Sequence, residues 1–287
     1  MDSMYKIVTH PGSAHKDDFL SVCVLLATLD KAVVYRREAT PADLEDLNTY
    51  VVDVGMEHNP LRHNFDHHHD RSLPCAFHLV MRHLGLHEAA TQSFVWYPYI
   101  SMMDVRGPYQ AAKYLGVDSS VLLAASSPID GYLLSIFAAA KTLGSRNLLY
   151  KFMKGLGTDM LALIDRKMAR LKRLQNEAQV LPVKHLKAIF STIREYPKLA
   201  MELYLGALDD DNIAISITPS NRGEGWELLR LVDHPLVDFR AIADCAEISF
   251  VHNNGFLAKT RTRIPIEEVL PLVCRAIADQ AVAGQKA

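Results

Sequence analysis

Tyr5-Lys6-Ile7-Val8-Thr9-His10, then Pro11-Gly12-Ser13, then Asp17-Asp18-Phe19-Leu20, is the stretch that decides the fold class of this chain. The β-branched content of residues 5–10 reads as a short buried strand, and Pro11-Gly12-Ser13 supplies the turn that ends it. Phe19, Leu20, Cys23, Val24, Ala27 and Leu29 then recur at helical spacing, with Asp17 or Asp18 as the cap. Residues 32–36 and 50–55 repeat the strand signal. Alternating strands and helices predict an α/β fold: an N-terminal, mostly parallel sheet flanked by helices and joined by right-handed crossovers. Ligands of such sheets bind beyond the carboxyl ends of the strands, where His10 and Asp53 fall.

Further along, residues 75–144 carry helical patterns, and Asp104 lies among them. A helix over about 158–179, with basic and apolar positions alternating, reads as a connecting element with one buried stripe. Period-two alternation in residues 212–218 and short strands at 226–232 and 248–251 then mark a change of character, and residues 265–281 close the chain as a helix. The expected organisation is a metal-binding domain over 1–155, a helical linker over 156–194 and a smaller α+β domain over 195–287. No internal repeat or low-complexity tract interrupts it.

Of the 287 residues 49% are apolar and 22% charged, which is material for packed cores and not for disorder. A formal net charge of -2 excludes a protein whose whole surface tracks a nucleic-acid backbone, while leaving room for a locally basic site. Cys23, Cys75, Cys245 and Cys274 are far apart and form no CxxC pair, so they read as reduced residues of a cytoplasmic protein. The start has no basic segment followed by an apolar core, and no apolar run approaches the roughly 18 residues of a membrane span.

Four separated segments carry the chemistry. His10, His15 and Asp17 come first; imidazole with carboxylate suits Mn, Fe, Zn or Co better than Ca, although Asp17 also fits a helix cap. Asp53 follows an apolar strand, where a buried carboxylate needs a cation or hydrogen-bond donors; capping the turn at Gly55 is the alternative. Asp66-His67-His68-His69-Asp70 is the third segment, and Asp104, otherwise an ordinary solvated helix position, is the fourth.

In that order the segments resemble the DHH phosphoesterase superfamily, which includes RecJ-like exonucleases, oligoribonucleases and manganese-dependent pyrophosphatases. Thr9-His10-Pro11-Gly12-Ser13-Ala14-His15-Lys16-Asp17, Val52-Asp53-Val54-Gly55, Asn64-Phe65-Asp66-His67-His68 and Phe250-Val251-His252-Asn253-Asn254-Gly255-Phe256-Leu257 look most like its melanocyte-proliferating-gene family of metal-dependent protein hydrolases. The resemblance implies two divalent ions, Mn first and Mg second. His10, His15 and Asp53 would hold one ion and Asp17, Asp53, His67 and Asp104 the other, with a bridging hydroxide making the cluster neutral. It further implies His68 as the acid for the leaving oxygen or a ligand of the phosphate, and Asp66 as the group orienting a ligand histidine. His252 and Arg261, followed by Arg222, Lys259 and Arg263, are the implied grips on phosphate.

Two departures accompany the likeness. Ala258-Lys259 stands where the family carries a glycine pair, replacing amide donors with a point charge, and a tryptophan-rich stretch of relatives is shortened around residues 239–245. The expected function is Mn- or Mg-dependent phosphoester hydrolysis, as a 3′-5′ exonuclease or phosphodiesterase on short single-stranded RNA or nucleotide substrates. Pyrophosphate or another small phosphate compound at the same site, or a non-catalytic metal-binding regulatory role, are the alternatives. No membrane is expected as a partner; a homodimer is compatible with the sequence.

Overall fold

A computed structural model of the chain describes residues 4–124, 127–194 and 198–279. The expected boundary at 195–197 and the last turn of the expected closing helix, 280–281, lie outside them. The chain divides into two compact units, residues 1–166 and 167–287.

The first unit follows the strand, loop, helix plan. Its elements run β1 (Tyr5–Thr9), α1 (Lys16–Thr28), β2 (Ala32–Arg36), α2 (Pro41–Glu45), β3 (Thr49–Val52), β4 (His58–Asn59), β5 (Asn64–Phe65), α3 (Ala76–His83), α4 (His87–Ser93), α5 (Tyr97–Leu115), α6 (Ser119–Ala124), α7 (Pro128–Ala139), β6 (Thr142–Leu143) and the start of α8 (Leu148–Glu177). The sheet order is β4-β5-β3-β1-β2-β6, with β2, β1, β3 and β5 parallel and the two edge strands antiparallel. Its central strands read as near-continuous apolar runs because both faces are covered. Ile7, Val8, Val34, Val51, Val52 and Phe65 are all fully buried.

Register places the chemistry. Thr9 pairs with both Arg36 and Val52, and Val52 pairs with Phe65. The parallel strands therefore end at one level, and His10, Asp53 and Asp66-His67-His68 are the residues that leave the sheet there. Helix α1 lies so close to α8 that a Cβ on Gly157 would stand 2.0 Å from the Cys23 carbonyl oxygen.

The second unit completes α8 and adds β7 (Gln179–Val183), β8 (Leu186–Phe190), α9 (Lys198–Leu208), β9 (Ile213–Pro219), β10 (Trp226–Arg230), β11 (Ile248–Val251), β12 (Leu257–Thr260) and α10 (Ile266–Arg275). They build a sheet of order β11-β12-β10-β9-β8-β7, antiparallel except for β8 and β9. Residues 179–190, expected within the helical linker, are a hairpin of this sheet. Pro182 removes a helix donor and sits on the edge strand β7, where no ladder bond is lost. Between Val183 and Leu186, which pair, only Lys184 and His185 turn the chain, with Lys184 at φ 54°. All four cysteines are free thiols. No helix among the described residues is long and apolar enough to cross a membrane.

Candidate metal centre

Asp53 is aimed by its backbone. It adopts φ 57°, and Gly55 and Met56 follow at 99° and 56°, so the chain reverses tightly after β3. Asp tolerates this left-handed region better than most side chains, while Gly55 avoids a clash: a Cβ there would meet Leu44 at 3.0 Å. Helix α1 presents Asp17 from its first turn, with Asp17 only 1% exposed. Asp104 comes from α5, upstream of the break at Gly107 (φ 76°) and Pro108, where proline disfavours helical backbone.

These elements bring the six expected ligands together. His67 Nε2 lies 3.1 Å from Asp53 Oδ1 and 3.1 Å from Asp104 Oδ2; His10 Nε2 lies 3.4 Å from Asp53 Oδ2; His15 Nδ1 lies 3.7 Å from Asp104 Oδ1. Three overlapping triads, His10–His15–Asp53, Asp53–His67–His68 and His15–Asp17–Asp104, each place one donor atom per residue within 4.8 Å of the others. Both oxygens of Asp17, Asp53 Oδ1, Asp104 Oδ2, His10 Nε2 and His67 Nε2 are buried without an aligned hydrogen-bond partner. Buried polar atoms normally find partners. Here several carboxylate oxygens and imidazole nitrogens lack them at one place, a donor set that suits divalent metal ions.

The charges show the same tension. Burial, then Asp53 and Asp104, pushes the Asp17 carboxyl well above the usual carboxylate range. Burial pulls His67 down, but Asp104 and Asp53 outweigh it and push the imidazole up to about 10. His10 is raised chiefly by its contact with Asp18. The carboxylates that would hold a cation favour a proton on His67 in the metal-free protein.

Asp66 has a different partner from the expected ligand histidine. Its Oδ1 accepts from His68 Nδ1 at 2.7 Å and from the His68 amide at 2.9 Å, and its Oδ2 accepts from the Met56 amide at 2.7 Å. It thus fixes His68, whose side chain is 54% exposed, while the Asp53 and Asp104 carboxylates face His67. His69 and Asp70 are exposed, and Asp70 accepts from the Ser72 amide in a local turn.

Asp18 carries more than the cap read from the sequence. It is fully buried, accepts from the His15 amide at 2.9 Å, and places Oδ2 3.2 Å from His10 Nε2 and 3.5 Å from Arg36 Nη2. Arg36 itself has no signal in the sequence beyond a cation ending an apolar strand.

In the second unit, Arg222 and Lys259 line a cavity of about 940 Å³ with Glu227, Arg230 and Phe256. Lys259 pairs with Glu227 at 3.2 Å. His252 and Arg261 are not part of that lining. His252 Nδ1 accepts from the Asn254 amide at 3.1 Å, Arg261 Nε donates to the Ala246 carbonyl at 2.8 Å, and Arg263 stacks over Trp226.

A family model described as "MYG1_exonuc: Uncharacterised protein family (UPF0160)" matches residues 6–82. The match takes in His10, His15, Asp17, Asp53, Asp66, His67 and His68, and ends before Asp104 and the second unit. Among solved structures, an exopolyphosphatase-related protein from Bacteroides fragilis is 12% identical, with 95% of this chain and 91% of that one covered, at a TM-score of 0.26. RecJ from Thermus thermophilus in complex with Mg2+ is 16% identical, with 94% of this chain and 49% of that one covered, at a TM-score of 0.31. The corresponding Mn2+ complex is 15% identical, with coverage of 94% and 51% and a TM-score of 0.29. Superpositions this loose say nothing about chemistry. No curated protein matches the chain.

Proposed function

We propose that the first unit is a DHH-type, metal-dependent phosphoesterase centre. The observation that carries this reading is the convergence of orphaned oxygens of Asp17, Asp53 and Asp104 with Nε2 of His10 and His67. The family-model match over residues 6–82 supports it. His10, His15 and Asp53 would hold one divalent ion, Mn or Mg, and Asp17, Asp53, His67 and Asp104 a second. Such a pair supplies a water of lowered pKa and clamps the oxygens of an in-line displacement.

The chain's own groups do the rest. His68 uses Nδ1 against Asp66, which leaves Nε2 to deliver a proton to the departing oxygen. In their own cavity Arg222 and Lys259 grip phosphate oxygens, Arg through paired donors and Lys as a point charge.

A nucleotide or short-RNA diester is favoured over pyrophosphate by an apolar cleft of about 420 Å³ in the first unit, lined by Phe19, Leu20, Trp96, Ile100 and Leu133 with Lys16 and Asp130. Leu20 follows Asp17 by three residues on α1, and Ile100 precedes Asp104 by four on α5. The cleft therefore shares helix faces with the metal ligands. An apolar wall with Trp96 suits a base, not an anion.

Initial rates on labelled oligoribonucleotides and on pyrophosphate, with and without added Mn, test the proposal. Mn-dependent release of mononucleotides from the 3′ end supports it. Hydrolysis of pyrophosphate alone removes the nuclease reading, and no metal-dependent activity on any phosphoester removes the catalytic one.

A further inference from the structure

His10 and His15 flank a loop whose central residues, Pro11, Gly12 and Ser13, are exposed. Gly12 stands at φ 83°, and a Cβ there would meet nothing within 4 Å. Among the described residues no backbone-to-backbone hydrogen bond ties residues 10–14 to the rest of the unit. Such a segment ordinarily samples many paths. Yet its two histidine rings sit with centroids 5.6 Å apart, in one triad with Asp53.

The tie is a side chain. Arg36, the last residue of β2, is 5% exposed, and its guanidinium is enclosed by main-chain carbonyls. Nη2 donates to His10 O at 3.0 Å and Ser13 O at 3.1 Å, and Nη1 donates to Phe137 O at 2.9 Å and Gly12 O at 3.4 Å. The group lies 4.5 Å from the Phe137 ring centroid, and Phe137 meets Phe19 of α1 edge-on at 5.4 Å. One planar fork thus holds three of the loop's carbonyls and fastens them to α7, while Asp18, which Nη2 also approaches, reaches back to His10. A lysine ammonium, with three donors radiating from one atom, does not reproduce that fork.

We propose that Arg36 is a positioning residue of the metal centre: it sets the path of residues 10–15 so that His10 and His15 converge with Asp53 on a divalent cation. This rests on the metal reading given above. Arg36 touches no cation itself, and its effect is selective, because His67, Asp104 and Asp17 reach the centre from other elements.

The test is Mn binding by full-length protein, counted by equilibrium dialysis and followed by the spin-coupling signature in the electron paramagnetic resonance spectrum. Parent protein, Arg36→Lys, Arg36→Met and Asp53→Ala are compared, with circular dichroism as the check on folding. Parent protein is expected to bind two ions. Both Arg36 variants are expected to keep one and to bind the other roughly 10–100-fold more weakly, the usual cost of losing an outer-shell partner, with loss of the coupled signal. A general loss of stability would not remove one ion and leave the other.

Two ions bound with parental affinity by a folded Arg36→Lys overturn the proposal and leave the metal reading standing. No Mn bound by parent protein overturns that reading, and the proposal with it. Should Arg36→Met not fold, Arg36→Lys decides, together with hydrogen exchange at the amides of residues 12–15. Faster exchange in the metal-free variant supports the tie, and unchanged exchange contradicts it.

Discussion

Replacing Asp17 by Asn is expected to make the metal-free protein more stable and the Mn-loaded protein less stable. Both Asp17 oxygens are buried without a hydrogen-bond partner, and Asp53 and Asp104 hold like charge beside them. Leaving a buried polar group unsatisfied costs about 1–3 kcal/mol. Asparagine keeps the shape, is neutral without binding a proton, and removes the like charge from beside Asp53 and Asp104. A gain of about 2 kcal/mol follows, equivalent to roughly 4–8 °C in melting temperature for a domain of this size. Added Mn reverses the order. A ligand at a hundredfold excess over its Kd stabilises by about 2.7 kcal/mol per site, and the variant loses the share that depends on the Asp17 carboxylate. Differential scanning calorimetry in EDTA and again in Mn reads both halves. A variant that melts below the parent in EDTA, or gains as much as the parent from Mn, would show that the Asp17 carboxylate does not carry these effects.

Three further outcomes follow from particular residues. Gly157→Ala places a methyl 2.0 Å from the Cys23 carbonyl oxygen, a backbone atom that cannot move aside; the expected loss is about 1–3 kcal/mol, read from a denaturant midpoint, and an unchanged midpoint contradicts the close approach of α8 to α1. His67, raised from 6.5 to about 10 in the metal-free protein, binds its proton more tightly when folded, so its contribution is complete below pH 6.5 and is lost as pH climbs towards 10. The raised Asp17 acts in the same sense from its usual 3.8 upwards, and the EDTA melting temperature is expected to fall as pH climbs from 6.5 towards 10 while Mn affinity rises; a flat profile would contradict a protonated His67. His68→Gln is expected to lower kcat by about 10²–10⁴-fold with both Mn ions retained, and full activity would remove His68 as the acid.

The parallel sheet was legible because β1, β2 and β3 announce themselves as apolar, β-branched runs. Those same strand ends pointed to His10 and Asp53 and the histidine run to His67, while Asp104, an ordinary helix position, was reached only through the order of the four segments and the resemblance. The hairpin at residues 179–190 was not legible, since the helical pattern before it runs smoothly to Glu177 and only Pro182 marks the change. Arg36 was invisible for another reason. Its partners are carbonyls of His10, Gly12, Ser13 and Phe137, and carbonyls leave no trace in side-chain identity. Asp66 was expected to orient a ligand histidine, and that its carboxylate meets His68 was not legible, because the backbone turn after β5 and not side-chain identity decides which ring faces it.

The proposed phosphate grip of the second unit falls on other residues than the motif alone would choose. His252 and Arg261 sit in or beside the stretch that resembles the family, yet both are engaged by local turn and backbone contacts. Arg222 and Lys259, from outside and beside it, line the cavity instead.

The carboxylates and imidazoles that α1, α5 and the strand ends of the first sheet bring together are proposed to form a two-ion centre. An anomalous-scattering map from crystals soaked in Mn tests it most directly. Two peaks are predicted, one within coordination distance of His10, His15 and Asp53, the other of Asp17, Asp53, His67 and Asp104. A map with no peak among these side chains, from crystals that hold Mn elsewhere, would contradict the account.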